Sequence, residues 1–248
     1  MSPPSANIDS SPARLGDDWH VSYVTETGST NADLLVSAAA GAPDRSVLVA
    51  DHQTAGRGRL ERTWDAPPRA NLLVSVLFRT GFDPSNPHAL TQIVAIAAAR
   101  TVERLTAAVP ELKWPNDLLV GDAKLAGILA QASTTGADHA VVVGIGLNLG
   151  WAPPGAARLA GVSRDAFLNV WLEEMTALFG HDPFDEYRRR LSTLGRRVRV
   201  ECPAEIIEGR AVDVLREGSL VLDTSQGQKV VTVGDVIHLR THVADHPD

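Results

Sequence analysis

Apolar residues recur along this chain in two periods, and the switches between them outline its elements. Alternation in twos, or a short apolar run bounded by turn residues, predicts strands over Trp19–Thr25, Ser46–Asp51 (SVLVAD), Asn71–Phe78 (NLLVSVLF) and His139–Gly150 (HAVVVGIGLNLG). Two further strands, Lys113–Val120 (KWPNDLLV) and Lys124–Ser133 (KLAGILAQAS), flank Gly121-Asp122, a hairpin signal. Spacings of three and four predict helices. In GSTNADLLVSAAAG, Ser29 or Thr30 is the N-cap and Gly41 the stop. A longer helix runs over about His88–Ala108 on Leu90, Ile93, Val94, Ala97 and Leu105. Ser163 caps a third, with Phe167, Val170, Trp171 and Leu178 on one face, and a fourth lies near Glu186–Leu191. From Gly195 the texture changes to short alternating strands (RVRVE, GRAVDVL, SLVLDT, KVVTV, VIHL) with turns at Glu217-Gly218 and Gly227. The expected organisation is an α+β domain over 19–194 and a small β-barrel over 195–240. Residues 1–18, rich in Ser, Pro and Asp, and residues 241–248 read as flexible tails.

Composition narrows the class. A chain of 248 residues, 44% hydrophobic and 21% charged, buries a real core. No apolar run reaches the roughly 18 residues of a membrane span, and the first residues lack the apolar stretch of a secretory signal. The single cysteine, Cys202, excludes an internal disulfide framework. A cytoplasmic protein with no membrane partner is expected. The net charge of -7 argues against a general nucleic-acid binder, so any anion site must be local. All the basic side chains except Lys113, Lys124 and Lys229 are arginine. Two lysines close together in so arginine-rich a chain mark either a place where a compact ammonium is wanted or a chance cluster.

Four segments carry candidate chemistry. Gly56-Arg57-Gly58-Arg59, followed by Arg62 and Trp64, combines close backbone approach with forked donors that match phosphate or carboxylate oxygens. It is either an anion-binding loop that orders on a polyphosphate or a solvated basic loop. In Lys113-Trp114-Pro115-Asn116-Asp117, Pro115 cannot join a ladder and breaks the strand, which aims Asn116 and Asp117 into a cleft or simply makes a turn. Lys124 opens a strand in which Ala126 and Gly127 leave room for a ligand while Ile128 and Leu129 build core; taken alone, a lysine at a strand's mouth reads as solvated. Gly144-Ile145-Gly146-Leu147-Asn148 lacks the third glycine of a dinucleotide fingerprint and reads as a strand end beside a ligand. There is no Gly-x-Ser-x-Gly elbow, no Walker phosphate loop and no metal-ligand spacing among the eight histidines, so neither a serine nucleophile nor a protein metal site is expected.

Taken in series, GSTNAD (Gly28–Asp33), QTAGRGR (Gln53–Arg59) with Arg62 and Trp64, KWPNDLL with KLAGIL, and GIGLN (Gly144–Asn148) resemble the biotin protein ligases in order and spacing. The resemblance implies a class II synthetase-like mixed sheet with flanking helices and an SH3-like C-terminal β-barrel. It also implies that biotin and ATP, with Mg²⁺ on the ATP phosphates, give biotinyl-5′-AMP, and that biotin then passes to a lysine of a biotin carboxyl carrier domain of acyl-CoA carboxylases. No nucleic-acid or membrane partner is implied, and the expected state is a monomer or weak homodimer. By the same resemblance Ser29, Thr30, Asn31 and Gln53 meet the biotin rings, and Gly56, Arg57, Gly58, Gly127, Ile128, Leu129, Gly144 and Gly146 line the biotin pocket. Arg57, Arg59 and Arg62 hold carboxylate and phosphates, and Lys124 sits between carboxylate and α-phosphate. Trp64 covers the adenylate and Asn148 contacts the nucleotide. Asn116 and Asp117 orient phosphate, magnesium or the incoming amine, with Asp117 either base or orienting group. Lys124, Arg57, Arg59 and Asp117 are the expected catalytic set. Two features depart from the family pattern. Many bacterial members have glycine at the position of Glu61, and the stretch before Val21 is too short for a winged helix-turn-helix, which points to the ligase-only class. Two other readings stay open: a lipoate or octanoate ligase of the same superfamily, and a non-catalytic biotin or adenylate sensor.

Overall fold

Strands β1 (His20–Thr27), β2 (Ser46–Gln53), β3 (Leu72–Phe78), β4 (Pro110–Lys113), β5 (Asp117–Val120), β6 (Ala123–Thr135) and β7 (Asp138–Leu147) form one sheet in the order β1-β2-β3-β7-β6-β5-β4. Strands β1 and β2 run parallel, joined by helix α1 (Thr30–Ala39), and every other neighbouring pair is antiparallel. The computed structural model describes residues 18–60, 62–80, 88–135 and 138–239. The tails expected over 1–18 and 241–248, Asp18 excepted, and the departure at Glu61 lie outside these residues.

Strand alternation divides the apolar side chains between the two faces of the sheet. Val47, Val49, Leu72, Val74, Val76, Val143, Ile145 and Leu147 point to one face, where helices α2 (His88–Leu105) and α3 (Arg164–Leu178) cover them. Helix α2 is buried on most of its circumference between the sheet and α3, which adds Phe167, Leu168, Trp171, Leu172 and Met175. The short helix α4 (Phe184–Arg190) packs beside it through the buried Tyr187. On the opposite face α1 places Leu34 and Ala38 over Leu48, Leu77, Ala140 and Val142. That helix covers only part of its face, and the uncovered part is where the candidate site lies. The C-terminal residues form an antiparallel sheet of β8 (Arg197–Glu201), β9 (Ile206–Val214), β10 (Leu220–Thr224), β11 (Gly227–Val231) and β12 (Asp235–His238), ordered β11-β10-β9-β8-β12. Among the described residues no helix is long and apolar enough to cross a membrane.

The structure corrects several expectations. KWPNDLLV is two strands: β4 ends at Lys113, β5 begins at Asp117, and the two pair with each other, Lys113 opposite Asp117. Pro115 has no N–H for a ladder, and Trp114 turns inward, where its Nε1 donates to Gly218 O at 2.7 Å. The core anchor therefore sits at the turn rather than within a strand. Strand β7 ends at Leu147, although Asn148 N still donates to Leu125 O at 3.0 Å in the register of the β6–β7 ladder. Ser29 has the extended backbone of an N-cap, but its side chain makes no capping bond. Val170 is only half-buried, and the packed face of α3 runs through Phe167, Leu168, Trp171, Leu172 and Met175.

Candidate functional site

Glycines make the floor of the site. Period two places Gly144 and Gly146 of β7 on the α1 side of the sheet, after Ala140 and Val142. Register sets Gly146 opposite Gly127 of β6, and Gly144 between Ser75 and Leu129. A row that is apolar beneath α1 thus becomes bare backbone beyond the helix's first turn. Above it lies a cavity of about 470 Å³.

A fully partnered polar network closes one end. Gln53 Oε1 accepts from Thr30 N at 2.8 Å, which uses one of the free N–H groups at the start of α1. The hydroxyls of Thr30 and Ser75 lie 2.7 Å apart, and Ser75 Oγ donates to Asn31 Oδ1 at 2.6 Å. Asn31 Nδ2 donates to Leu129 O and to Gln131 Oε1 at 3.1 and 2.9 Å. Thr30, Asn31 and Ser75 are buried, so this network presents fixed polar groups at one end of the glycine floor. A side chain at Gly144 would collide with Asn31 Oδ1.

The glycine-arginine segment folds back on itself over the floor. Gly58 N donates to Arg62 O at 2.7 Å and Trp64 N to Gly56 O at 2.9 Å, while Arg57 and Thr63 bridge. This turn lays the Trp64 indole across the Gly127–Gly146 pair. A Cβ at Gly146 would run into the ring, and one at Gly127 would stand 3.1 Å from it. The indole N–H is buried and has no partner. Lys124 Nζ stands 5.5 Å from the Trp64 ring centroid and 2.6 Å from Asp117 Oδ1. The ammonium is therefore held at mid-cavity by one carboxylate and one aromatic face.

Residues far along the chain complete the wall. Arg62 pairs with Asp235 of β12, and Arg59 Nη1 donates to Gly234 O at 3.3 Å. Asp235, Val236 and Ile237, together with Glu201, line the cavity opposite the floor. Burial pushes the Arg59 guanidinium below its ordinary value, against the pull of Asp235 and Asp117. It remains a cation at any physiological pH. Arg57 is exposed and has no ion-pair partner among the described residues.

Almost every residue expected at the site lines this one cavity: Ser29, Thr30, Asn31, Gln53, Arg57, Gly58, Arg59, Arg62 and Trp64 from the first half of the set, and Asn116, Asp117, Lys124, Gly127, Ile128, Leu129, Gly144, Gly146 and Asn148 from the second. Gly56 is the exception. It is buried behind the loop, where a Cβ would strike the Trp64 carbonyl, so it shapes the turn without facing the cavity. Two asparagines that line the cavity are also held by protein partners. Asn148 is buried, accepts from Asn71 Nδ2 at 3.2 Å and donates to Ala157 O at 3.0 Å and Lys124 O at 3.5 Å. Asn116 Nδ2 donates to Ile128 O at 2.7 Å. Both fix the backbone of the strand that carries Lys124. Sequence reading missed Ser75 and the whole β12 wall. Ser75 had a signal, a lone hydroxyl inside the apolar run NLLVSVLF, whereas the wall had none.

Comparison with known proteins agrees with this geometry. Residues 23–148 match the biotin/lipoate A/B protein ligase family, and residues 193–239 match the biotin protein ligase C terminal domain. The chain is 41% identical over 247 residues to the biotin–[acetyl-CoA-carboxylase] ligase of Mycobacterium tuberculosis, spanning 91% of each protein. To the ligase of the same description from Paracoccus denitrificans it is 34% identical over 184 residues, 69% of this chain and 74% of that one. In fold it resembles the biotin protein ligase from Aquifex aeolicus in complex with biotin and ATP, with a TM-score of 0.75 at 24% identity over 90% of this chain and 99% of the other.

Proposed function

Because the chain belongs to the biotin/lipoate A/B protein ligase family, we propose that it is a biotin protein ligase that works in two steps on the cavity described. In the first, a biotin carboxylate oxygen attacks the α-phosphorus of MgATP. The bond from that phosphorus to the bridging oxygen breaks, pyrophosphate leaves and biotinyl-5′-AMP remains. In the second, a lysine amine of a carrier protein attacks the acyl carbon, the acyl–phosphate bond breaks, AMP leaves and the amine gives up a proton. Neither step uses an enzyme nucleophile, so catalysis rests on positioning and on charge placed where charge develops.

One observation carries this reading: Lys124 lies between a slot that ends in a partnered polar network and a loop of three arginines. The slot suits an apolar-bodied acid whose polar rings reach Thr30, Asn31 and Gln53, with its carboxylate beside Lys124. Arg57, Arg59 and Arg62 then meet the phosphates. Arg57 is already free of carboxylates, while Arg62 exchanges Asp235 for the ligand. Asp117 holds the ammonium in place, and when Lys124 turns to phosphate its oxygen is released to orient the incoming amine or the metal carried by ATP. Lone carboxylates of this kind suit a metal that arrives on the nucleotide rather than one held in a protein cage. Asn116 and Asn148 act as positioning residues beneath Lys124. The acceptor is read as the biotin carboxyl carrier domain of an acyl-CoA carboxylase, and the compartment as the cytoplasm.

The direct test is pyrophosphate release from MgATP by the purified chain without acceptor, comparing biotin, lipoate and octanoate. Release of about one equivalent with biotin alone is expected, because the mixed anhydride stays bound in the absence of an amine. Release with lipoate or octanoate instead would transfer the assignment to those ligases. Silence with all three acids would leave a binding protein rather than an enzyme.

A further inference from the structure

A second depression, about 830 Å³ and open to solvent, lies between the β4–β5 hairpin and the C-terminal sheet. It adjoins the first cavity at Lys113 and Ile237, which line both. Its walls carry Lys113, Arg196, Arg197 and Arg210 against a single carboxylate, Asp122, which stands 3.7 Å from Arg196. Several arginines elsewhere in this acidic chain take carboxylate partners: Arg100 has Glu174 and Glu186, and Arg190 has Glu103 and Glu186. Here Lys113, Arg197 and Arg210 have none among the described residues. The β8–β9 register also sets Arg197 directly opposite Arg210, a like-charged cross-strand pair, with Asp223 of β10 opposite Arg210 on its other side. The shape suits a broad partner better than a small anion. The three arginines are exposed, and Ile237, 43% exposed on edge strand β12, offers an apolar contact beside them.

We propose that this groove is the docking surface for the acceptor protein, whose acidic face seats against Arg197 and Arg210 and whose lysine enters the cavity past Lys113 and Ile237. The proposal rests on the ligase reading and names how its second substrate is recognised. Charges at a rim of this kind act mainly on encounter and are screened by salt.

The test is the full-length double variant Arg197→Glu/Arg210→Glu, assayed with biotin, MgATP and a purified biotin carboxyl carrier domain. The KM for the carrier is expected to rise at least about tenfold at low salt, with kcat changed less than about twofold. Biotin-dependent pyrophosphate release and transfer of biotin to hydroxylamine, which needs no docking surface, should stay at the level of the unaltered chain. An unchanged carrier KM would overturn the proposal. A raised KM for ATP would also overturn it and assign the groove to phosphate. One measurement depends on no variant: for the unaltered chain the carrier KM should climb between about 20 and about 300 mM salt, and a flat profile would equally overturn the proposal. Failure of the ligase reading is recognised separately, as absence of pyrophosphate release with biotin by the unaltered chain.

Discussion

Strands β6 and β7 have two faces built on opposite plans. Toward α2 and α3 they present Ile128, Val143, Ile145 and Leu147, all buried and packed. Toward the cavity the interleaved positions are Gly127, Gly144 and Gly146, which offer backbone and space. One ladder of hydrogen bonds serves both. The packed face makes the sheet rigid, and that rigidity lets the other face stay bare without collapsing. Substitutions one residue apart should therefore report on different properties.

The largest effect is expected on the packed face. Leu147→Ala, at a fully buried position outside the cavity lining, should lower stability by about 2–5 kcal/mol, read as a fall in the urea midpoint. Biotin adenylation per folded molecule should hold within severalfold, and a selective loss of activity would erase the distinction between the faces. Next comes the centre of the cavity. Lys124→Gln should reduce biotin-dependent pyrophosphate release about 100-fold or more, as losing one positioned charge donor does. Its half-exposed pair with Asp117 contributes at most about 1 kcal/mol to stability, so the midpoint should barely move. Gly146→Ala is smaller and sharper. Its backbone suits any residue, but the new methyl meets the Trp64 ring, so the ring must shift. A rise of roughly tenfold in the KM for biotin with near-native stability is expected, about 1.4 kcal/mol by the usual conversion. Native kinetics would mean that the indole's position is irrelevant.

The mildest test is pH. His88, at the start of α2, is pushed down to about 4 mainly by burial, with Arg59 adding to the effect and Glu217 opposing it. Its unfolded value is about 6.5. Between those limits the unfolded chain takes up a proton that the folded chain refuses. The stabilisation is complete above about 6.5 and declines as pH falls toward 4. Urea midpoints at pH 7.5 and 5 should differ by about 1–2 kcal/mol of stability, and the slope should flatten in His88→Gln. His238, also pushed down to about 4, has burial as its first cause and Lys113 as its second, and adds a smaller contribution of the same sign.

What was legible in the sequence follows the same division. Strand runs such as SVLVAD and NLLVSVLF declare themselves because a buried strand needs continuous apolar residues, and the order of the four motifs pointed to the family that the matched residues then show. The register was not legible. Nothing local says that Gly127 faces Gly146 or that Ser75 faces Gly144, because those pairings depend on how β3, β6 and β7 line up over the whole sheet. KWPNDLLV misled as a single strand because its apolar content spans a turn whose Trp114 anchors to a distant carbonyl, Gly218 O. Asn116 and Asn148 line the cavity as the motifs suggest, but no local signal says that their amides also hold the backbone at Ile128 O, Lys124 O and Ala157 O.

The wall contributed by β12 ties the site to the far end of the chain. All four motifs precede residue 149. The partners that hold Arg59 and Arg62, Gly234 and Asp235, lie more than 80 residues further on. A chain cut before Gly234 would still carry every motif by which the family is read, yet its chamber would lack the side that β12 closes.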